Sequence, residues 1–194
     1  MSKPKDIYFS VDIETNGPIV GVHSMLSFAA VAFTIHDNNI IILDFFSRNL
    51  KEIDNGIQDA DTMNNFWSKF PEAYSKCREN QSDIKISMNE FSDWVKNIAG
   101  INIPVFVAYP ACFDFSWINY YLLRFVGTNV FGFSALDMKS YALGKLNFNH
   151  FNNVNKSTMP QEWLPVDMPH THVALDDALE QAYLFKGMKL HKSN

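Results

Sequence analysis

The chain has 194 residues, 47% of them hydrophobic, and a formal net charge of −5. This length suffices for one well-buried core and is short for two, so we predict a single domain over residues 1–194 with its core at about residues 6–188. The acidic balance disfavours a protein that coats long duplexes, because affinity for a polyphosphate without regard to sequence comes mainly from Lys and Arg.

Targeting patterns are missing from the sequence. It contains no run of about eighteen uncharged apolar residues, and its start leads into a strand pattern without the apolar region of a signal peptide. We therefore expect a cytoplasmic protein with no membrane partner. Cys77 and Cys112 lie outside any CxxC motif, which favours buried small side chains over a disulfide or a zinc site.

The first quarter of the chain has the pattern of three strands, over residues 7–14, 24–35 and 40–46. Asp12 and Glu14 end the first of them, and strand side chains at i and i+2 share a face. Burying two carboxylates costs several kcal/mol each unless a partner compensates them, and a divalent cation is a natural partner. The sequence therefore predicts a metal site at the end of this strand.

The middle of the chain alternates helical and strand patterns. Residues 61–77 have aromatic residues at helical spacing, and Pro71 must either open a second helix or kink the first. The capping box at residues 87–90 predicts a helix from there to Gly100. An apolar strand at 104–109 and a helix at 113–126 then indicate a βαβ-type unit.

The last third of the chain ends in a helix. Residues 134–143 predict a final strand and turn, and residues 147–168, rich in Asn, Ser, His and Pro, predict a long loop of the kind that is often functional. The closing helix should begin near His172 or Val173 and carry Asp177 in its second turn.

Three short motifs follow one another along the chain: DIETNG at 12–17, FDF at 113–115 and HVALDDA at 172–178. Their order and spacing resemble the three motifs of the DEDDh 3′–5′ exonucleases. The segments at 62–67 and 137–141 are similar to a stand-alone bacterial and phage branch, alongside ribonuclease T and oligoribonuclease. The resemblance implies a ribonuclease H-like α/β fold, a mixed β-sheet flanked by helices on both faces, and removal of one nucleotide at a time from a 3′ end.

The same resemblance implies five catalytic residues: Asp12, Glu14, Asp114, His172 and Asp177. The resemblance implies that Asp12 would bridge two metal ions. Glu14 and Asp177 would complete the coordination of one ion, and Asp114 would bind the other. Hard oxygen ligands suit Mg²⁺ or Mn²⁺, and two ions about 3.5–4 Å apart can serve an in-line phosphoryl displacement. His172, with an ordinary pKa near 6.5, would deprotonate the attacking water.

Some of these residues have simpler interpretations. An Asp at the start of a helix is usually a cap, so Asp114 gains its weight only from Asp12 and Asp177. His170 and His172 form an H-x-H pair, yet no third nitrogen or sulfur ligand is nearby in sequence, which disfavours zinc.

Candidate substrate contacts lie in two segments. Phe66 and Trp67 could stack on a terminal base, and core packing is an equal alternative for each. The end of the first strand could approach the terminal nucleotide or form a plain turn, and its candidate residues are Ile13, Thr15, Asn16 and Gly17. The expected partner is the 3′ end of single-stranded RNA or DNA, since no motif reports a contact to the 2′-hydroxyl. A homodimer is also left open.

Two other functions are compatible with the same sequence. A domain of this fold could bind nucleic acid or protein without catalysis, and metal-dependent release of nucleotides would distinguish the two. A proofreading subunit that acts with a polymerase is the second alternative, and co-purification with a polymerase would identify it.

Overall fold

In the computed structural model, which describes residues 3–168 and 170–191, a mixed sheet is flanked by helices on both faces. Its five strands are β1 (Asp6–Thr15), β2 (Met25–His36), β3 (Asn39–Asn49), β4 (Ile103–Ala108) and β5 (Leu136–Asp137). The order across the sheet is β3-β2-β1-β4-β5, with the first three antiparallel and β4 parallel to both β1 and β5. The predicted fold class is confirmed.

Five α-helices cover the sheet: α1 (Pro71–Cys77), α2 (Ile84–Ala99), α3 (Ala111–Phe125), α4 (Met138–Leu146) and α5 (Ala174–Leu190). Helices α2 and α3 enclose one buried core with the sheet, and α4 and α5 enclose a second core on the opposite face. Strand β4, helix α3 and strand β5 form the predicted βαβ unit. Among the described residues no helix is long and apolar enough to cross a membrane.

Strand β1 sends alternate side chains into the two cores. Phe9 and Val11 pack with α2 and α3, whereas Tyr8 packs on the opposite face against α5. The same alternation places Asp12 and Glu14 on the α5 face, at the carboxyl end of the strand. The acids of the first motif therefore lie beyond the apolar part of the second core, next to the helix of the third motif.

The start of α2 differs from the prediction. The helix begins at Ile84 because Asp83 is its N-cap, and the Asp83 carboxylate accepts a hydrogen bond from the backbone N–H of Ile86 at 3.0 Å. Ser87, the predicted cap, lies inside the helix and donates its hydroxyl to the Asp83 carbonyl at 2.8 Å. Two residues of capping type lie close together in the sequence, and the earlier one is used. The predicted end at Gly100 agrees with the structure.

The segment predicted as a final strand and turn at 134–143 is largely helical. Only Leu136–Asp137 is extended, and α4 follows directly. Asp137 explains the difference, because its carboxylate accepts from the backbone N–H of Ser140 at 2.6 Å and so caps a helix where a turn was expected.

Two segments without long helices border the site. The chain between β3 and α1 forms two short helical turns, Thr62–Phe66 and Trp67–Lys69, before Pro71 opens α1, as one of the two alternatives for Pro71 predicted. Residues 147–168 form the predicted long loop, which contains three short 3₁₀ turns: Phe151–Asn153, Lys156–Thr158 and Gln161–Trp163.

Candidate active site

The four predicted carboxylates meet at the carboxyl end of β1, and we call them the acidic floor: Asp12, Glu14, Asp114 and Asp177. Strand β1 supplies the first two, and the first turns of α3 and α5 supply the others, so Asp177 lies one turn earlier in its helix than predicted. Oxygens of Asp12, Glu14 and Asp177 all lie within 4.8 Å of one another. Glu14, Asp114 and Asp177 are only 7%, 4% and 0% exposed, while Asp12 keeps some exposure.

Backbone N–H groups hold two of these carboxylates. Asp114 Oδ1 accepts from the N–H of Ile13 at 3.2 Å, which fastens α3 to β1 between the two acids of the first motif. Asp177 accepts from the N–H groups of Thr171 and His172 at 2.9 and 3.0 Å. His172 has a left-handed backbone with φ of 57°, and this conformation folds the segment before α5 around the Asp177 carboxylate.

The acidic floor is electrostatically unfavourable by itself. Desolvation raises the pKa of Asp12 well above its usual range, and the charges of Asp114, Glu14 and Asp177 raise it further. Desolvation and then Asp177 likewise raise the pKa of Glu14. Burial raises the pKa of Asp114 to about 7. Each shift means that burial, together with neighbouring negative charges at Asp12 and Glu14, disfavours the ionised carboxylate.

His170 lies between two carboxylates. Its Nδ1 is 3.1 Å from Asp177 Oδ2 and 3.3 Å from Glu180 Oε2, and these hydrogen bonds, first to Asp177 and then to Glu180, raise the pKa of His170 to about 9. Lys156, from the long loop, donates to both oxygens of Glu180 at 2.8 and 2.6 Å. The long loop therefore contributes a charged contact at the edge of the site.

His172 has different surroundings. Its ring lies 4.1 Å from the ring of Phe70 and 5.0 Å from that of Phe66, measured between centroids. Burial and the nearby charge of His170 lower the pKa of His172. Nitrogens of both histidines also converge with Asp177, so the H-x-H pair does have a third donor nearby, a carboxylate oxygen rather than nitrogen or sulfur.

A pocket of about 360 Å³ opens beside Glu14. Of the predicted substrate contacts, four line it: Ile13, Thr15, Gly17 and Phe66. Its other walls include Asp61, Thr62 and Asn65 from the turn before Phe66. Phe113, which is 39% exposed, also lines the pocket and was not predicted, although its position directly before Asp114 in the FDF motif was a signal that could have identified it.

The side chains of two other predicted contacts point into the protein. Trp67 is 2% exposed, and its indole N–H donates to the carbonyl of Thr15 at 2.9 Å. The side chain of Asn16, which is fully buried, accepts from the backbone N–H of Ser24 at 2.7 Å. The burial of Trp67 agrees with the alternative of core packing, and its ring has no exposed face on which a base could stack. Both residues support the end of β1 from behind.

Comparison with known proteins places this chain in a family. A family model described as RNase_T exonuclease matches residues 9–185. The chain belongs to this exonuclease family. The 3′–5′ DNA exonuclease Cap18 of Escherichia coli is 35% identical over 191 residues, which cover 96% of this chain and 93% of that protein. The chain is therefore a 3′–5′ exonuclease, as its three motifs predicted.

Solved structures of other nucleases share the fold of this exonuclease. The nuclease domain of 3′hExo, a DEDDh family member bound to rAMP, has a TM-score of 0.68 at 14% identity, with 95% of this chain and 92% of that chain covered. E. coli Exonuclease I in complex with a dT13 oligonucleotide has a TM-score of 0.61 at 15% identity, with 96% of this chain and 41% of that chain covered. At such identities the likeness concerns the fold.

The donor atoms of the acidic floor fit a divalent cation. Asp12, Glu14 and Asp177 offer clustered carboxylate oxygens, which are the ligands that hard cations such as Mg²⁺ and Mn²⁺ prefer. The raised pKa values of Asp12 and Glu14 point the same way, because a nearby cation would stabilise the ionised forms that desolvation and then mutual repulsion disfavour.

One residue that contacts the acidic floor of this exonuclease was not predicted. Gln181 donates its side-chain N–H to Asp12 Oδ1 at 2.7 Å and accepts from the backbone N–H of Tyr109 at 2.9 Å. It follows Asp177 by four positions in α5, and side chains at i and i+4 lie on the same face of a helix. That spacing was the available signal.

Proposed function

We propose that this exonuclease removes nucleoside 5′-monophosphates one at a time from the 3′ ends of single-stranded DNA, with two divalent ions at the acidic floor. The observation that carries the proposal is the cluster of Asp12, Glu14 and Asp177 beside an open pocket, with Asp114 bonded to the intervening Ile13. The pocket volume of about 360 Å³ lies in the range of small-molecule sites and suits one terminal nucleotide. DNA is chosen over RNA because the relative at 35% identity is named a DNA exonuclease.

The carboxylates would divide the metal-binding work as the family resemblance implies. Asp12, Glu14 and Asp177 would hold one Mg²⁺ or Mn²⁺ ion, and Asp12 and Asp114 would hold the other. When bound, such ions neutralise charge on the phosphodiester and lower the pKa of the attacking water. Asp12, which keeps some exposure, would be the ligand shared by both ions.

His172 would act as the general base. Its lowered pKa keeps the imidazole neutral at pH 7, and a neutral imidazole can accept the proton of the attacking water. The rings of Phe66 and Phe70 restrict its rotation from one side. His170 differs in role, because its raised pKa keeps it charged and bonded to Asp177, where it holds that carboxylate in place.

Pocket side chains would bind the terminal nucleotide. Phe66 and Phe113 present aromatic surface for a base, and Ile13 and Thr15 bring the end of β1 to the same pocket. With a net charge of −5, binding should rely on these contacts and the metal ions more than on a long basic track. We therefore expect distributive cleavage, with short oligomers cut about as well as long ones. The salt dependence should be shallow, because log affinity falls by only about 0.7 per phosphate contact for each tenfold rise in salt.

The test is a parallel digestion of matched 5′-labelled DNA and RNA oligomers in Mg²⁺, in Mn²⁺ and in chelator. The proposal expects a ladder of products that shorten by one nucleotide, release of 5′-monophosphates, faster loss of the DNA and no reaction in chelator. Internal fragments or full activity in chelator would contradict the mechanism. Faster cleavage of RNA would overturn the choice of DNA and leave the site assignment intact.

A further inference from the structure

Gln181 connects the acidic floor to the end of β4. Its side chain is 3% exposed and bridges Asp12 Oδ1 at 2.7 Å and the backbone N–H of Tyr109 at 2.9 Å. We propose that Gln181 is a positioning residue that orients the Asp12 carboxylate for divalent-cation binding. The inference rests on the proposed function, since it assigns a role at the same site.

The bridge fixes which end of the amide faces Asp12. A backbone N–H can only donate, so the group that faces Tyr109 must be the side-chain oxygen of Gln181. The NH₂ group is then left facing Asp12, where it donates to Oδ1. This donor occupies one lone pair of the carboxylate, favours its ionised form, and leaves the remaining lone pairs for a cation.

Asp12 differs in this respect from two of its neighbours. Asp114 and Asp177 accept hydrogen bonds from backbone N–H groups, which no side-chain substitution removes. The hydrogen bond that orients Asp12 comes from a side chain, so the geometry of the proposed shared ligand depends on the residue at position 181. Partners of this kind change metal affinity by about 10- to 100-fold when they are mutated.

Gln181→Met tests the proposal, because methionine fills a similar volume and cannot donate. We would measure the binding of Mn²⁺ alone by titration calorimetry, the thermal midpoint in chelator, and kcat and KM at several Mn²⁺ concentrations. The dissociation constant for Mn²⁺ should rise by about 10- to 100-fold. Turnover should fall at low Mn²⁺ and recover towards the wild-type value at high Mn²⁺, with KM for the oligomer unchanged.

Gln81→Met is the matched control. Gln81 is half-buried and donates its side-chain N–H to the carbonyl of Leu50 at 2.6 Å, so this variant also loses a glutamine hydrogen bond but none to a carboxylate. Its affinity for Mn²⁺ should equal that of the wild type. If Gln181→Met does not unfold cooperatively, Gln181→Asn replaces it, because the shorter amide cannot span Tyr109 and Asp12 and should show the same loss.

The outcomes separate the two proposals. Wild-type affinity for Mn²⁺ in the position 181 variants, with only a lower thermal midpoint, would overturn the positioning role and leave the proposed function standing. Failure of the wild-type protein itself to bind Mn²⁺ would overturn the metal mechanism, and the inference about Gln181 with it.

Discussion

The acidic floor and the aromatic side chains next to it are built in opposite ways. The floor stands on β1 and on the first turns of α3 and α5, where a regular backbone fixes each carboxylate. The neighbouring aromatic flank, Phe66, Phe70 and His172, stands on short turns and on a left-handed residue, and its rings contact one another. The floor is fixed by regular backbone and is electrostatically unfavourable. The flank stands on irregular backbone, and its rings already pack against one another.

This difference indicates how the two regions divide the work. Metal-assisted chemistry needs ligands held in fixed positions, and the protein without metal bears the cost as raised pKa values in the floor. Binding of a base needs an exposed apolar face, which in the proposed function the partly exposed ring of Phe66 would supply. Changes in the floor should therefore separate stability from activity, and changes in the flank should alter binding or the proton transfer.

The largest effect is expected for Asp12→Asn. Turnover should fall to background because the proposed shared ligand loses its charge. The metal-free protein should become more stable, since a buried charge and its repulsion are removed; each 1 kcal/mol would raise the thermal midpoint by about 2–4 °C. Melting in chelator and a cleavage assay measure the two effects. Asp54→Asn, at an exposed acid, should change neither. If Asp12→Asn is less stable than the wild type and turns over at nearly the wild-type rate, the floor does not sacrifice stability for metal binding.

His172→Ala should have the next largest effect, a decrease in kcat of about 10²- to 10⁴-fold for a lost general base. Because the pKa of His172 is lowered, the wild-type rate should hold through neutral pH and decline only below about pH 6.5. Single-turnover rates from pH 5 to 9 would measure this, and the decline due to His172 should disappear in the variant. His36→Ala, at an exposed histidine, is the control. An unchanged profile in His172→Ala would make that residue structural.

The stability of the metal-free protein should decrease as the pH rises. Folded-state pKa values of Asp12, Glu14 and Asp114 are raised, so the folded protein binds more protons than the unfolded chain from about pH 4 up to about pH 7, the value for Asp114. The pKa of His170 is raised to about 9, so its stabilising contribution is complete below about pH 6.5 and is lost through pH 9.

The carboxylate contribution, up to about pH 7, and the His170 contribution, from about pH 6.5 to 9, have the same sign, whereas the lowered pKa of His172 acts in the opposite direction below about pH 6.5. Each group changes the free energy of unfolding by at most about 1.4 kcal/mol per pH unit. Thermal melting in chelator from pH 5 to 9 would measure the decrease. Saturating Mn²⁺ should reduce the slope by neutralising the floor. An equally steep decrease with Mn²⁺ present would show that the slope originates outside the carboxylates.

Phe66→Ala should raise KM for a DNA oligomer by about 5- to 150-fold with a smaller change in kcat, because stacking of one base contributes about 1–3 kcal/mol. Steady-state kinetics would measure it. Phe133→Ala, which removes a ring that is 97% exposed and does not line the pocket, should leave KM unchanged. Trp67→Phe should instead lower the thermal midpoint and leave KM unchanged, because Trp67 is buried and its indole N–H bonds the Thr15 carbonyl. Equal KM values for Phe66→Ala and wild type would remove stacking at Phe66 from the proposal.

The floor was predictable from two signals. Strand alternation placed Asp12 and Glu14 on one face, and the resemblance of the motifs to those of the DEDDh family pointed to Asp114 and Asp177, although Asp177 lies one turn earlier in α5 than predicted. The choice between Phe66 and Trp67 was not predictable, because the two residues are adjacent and both aromatic, and the geometry of an irregular turn decides which one is exposed. Such a turn has no period that a sequence could reveal.

Contacts made by neutral side chains were also missed. Gln181 is uncharged, so its residue type alone does not indicate a place in the site. Its proposed role follows from its hydrogen bonds to Tyr109 and Asp12, which are distant from it in sequence. The boundary errors at α2 and α4 share one cause, an aspartate that caps the helix and was not recognised as a cap. Asp83 rather than Ser87 caps α2, and Asp137, expected in a turn, caps α4.

The acidic floor draws its members from both ends of a long stretch of chain, with Asp12 in the first strand and Asp177 in the last helix. During synthesis on the ribosome the amino-terminal strands emerge first and α5 emerges last. A nascent chain that ends before α5 holds Asp12, Glu14 and Asp114 and lacks Asp177. Under the proposed mechanism, cleavage of nucleic acid would therefore begin only after translation has passed Asp177.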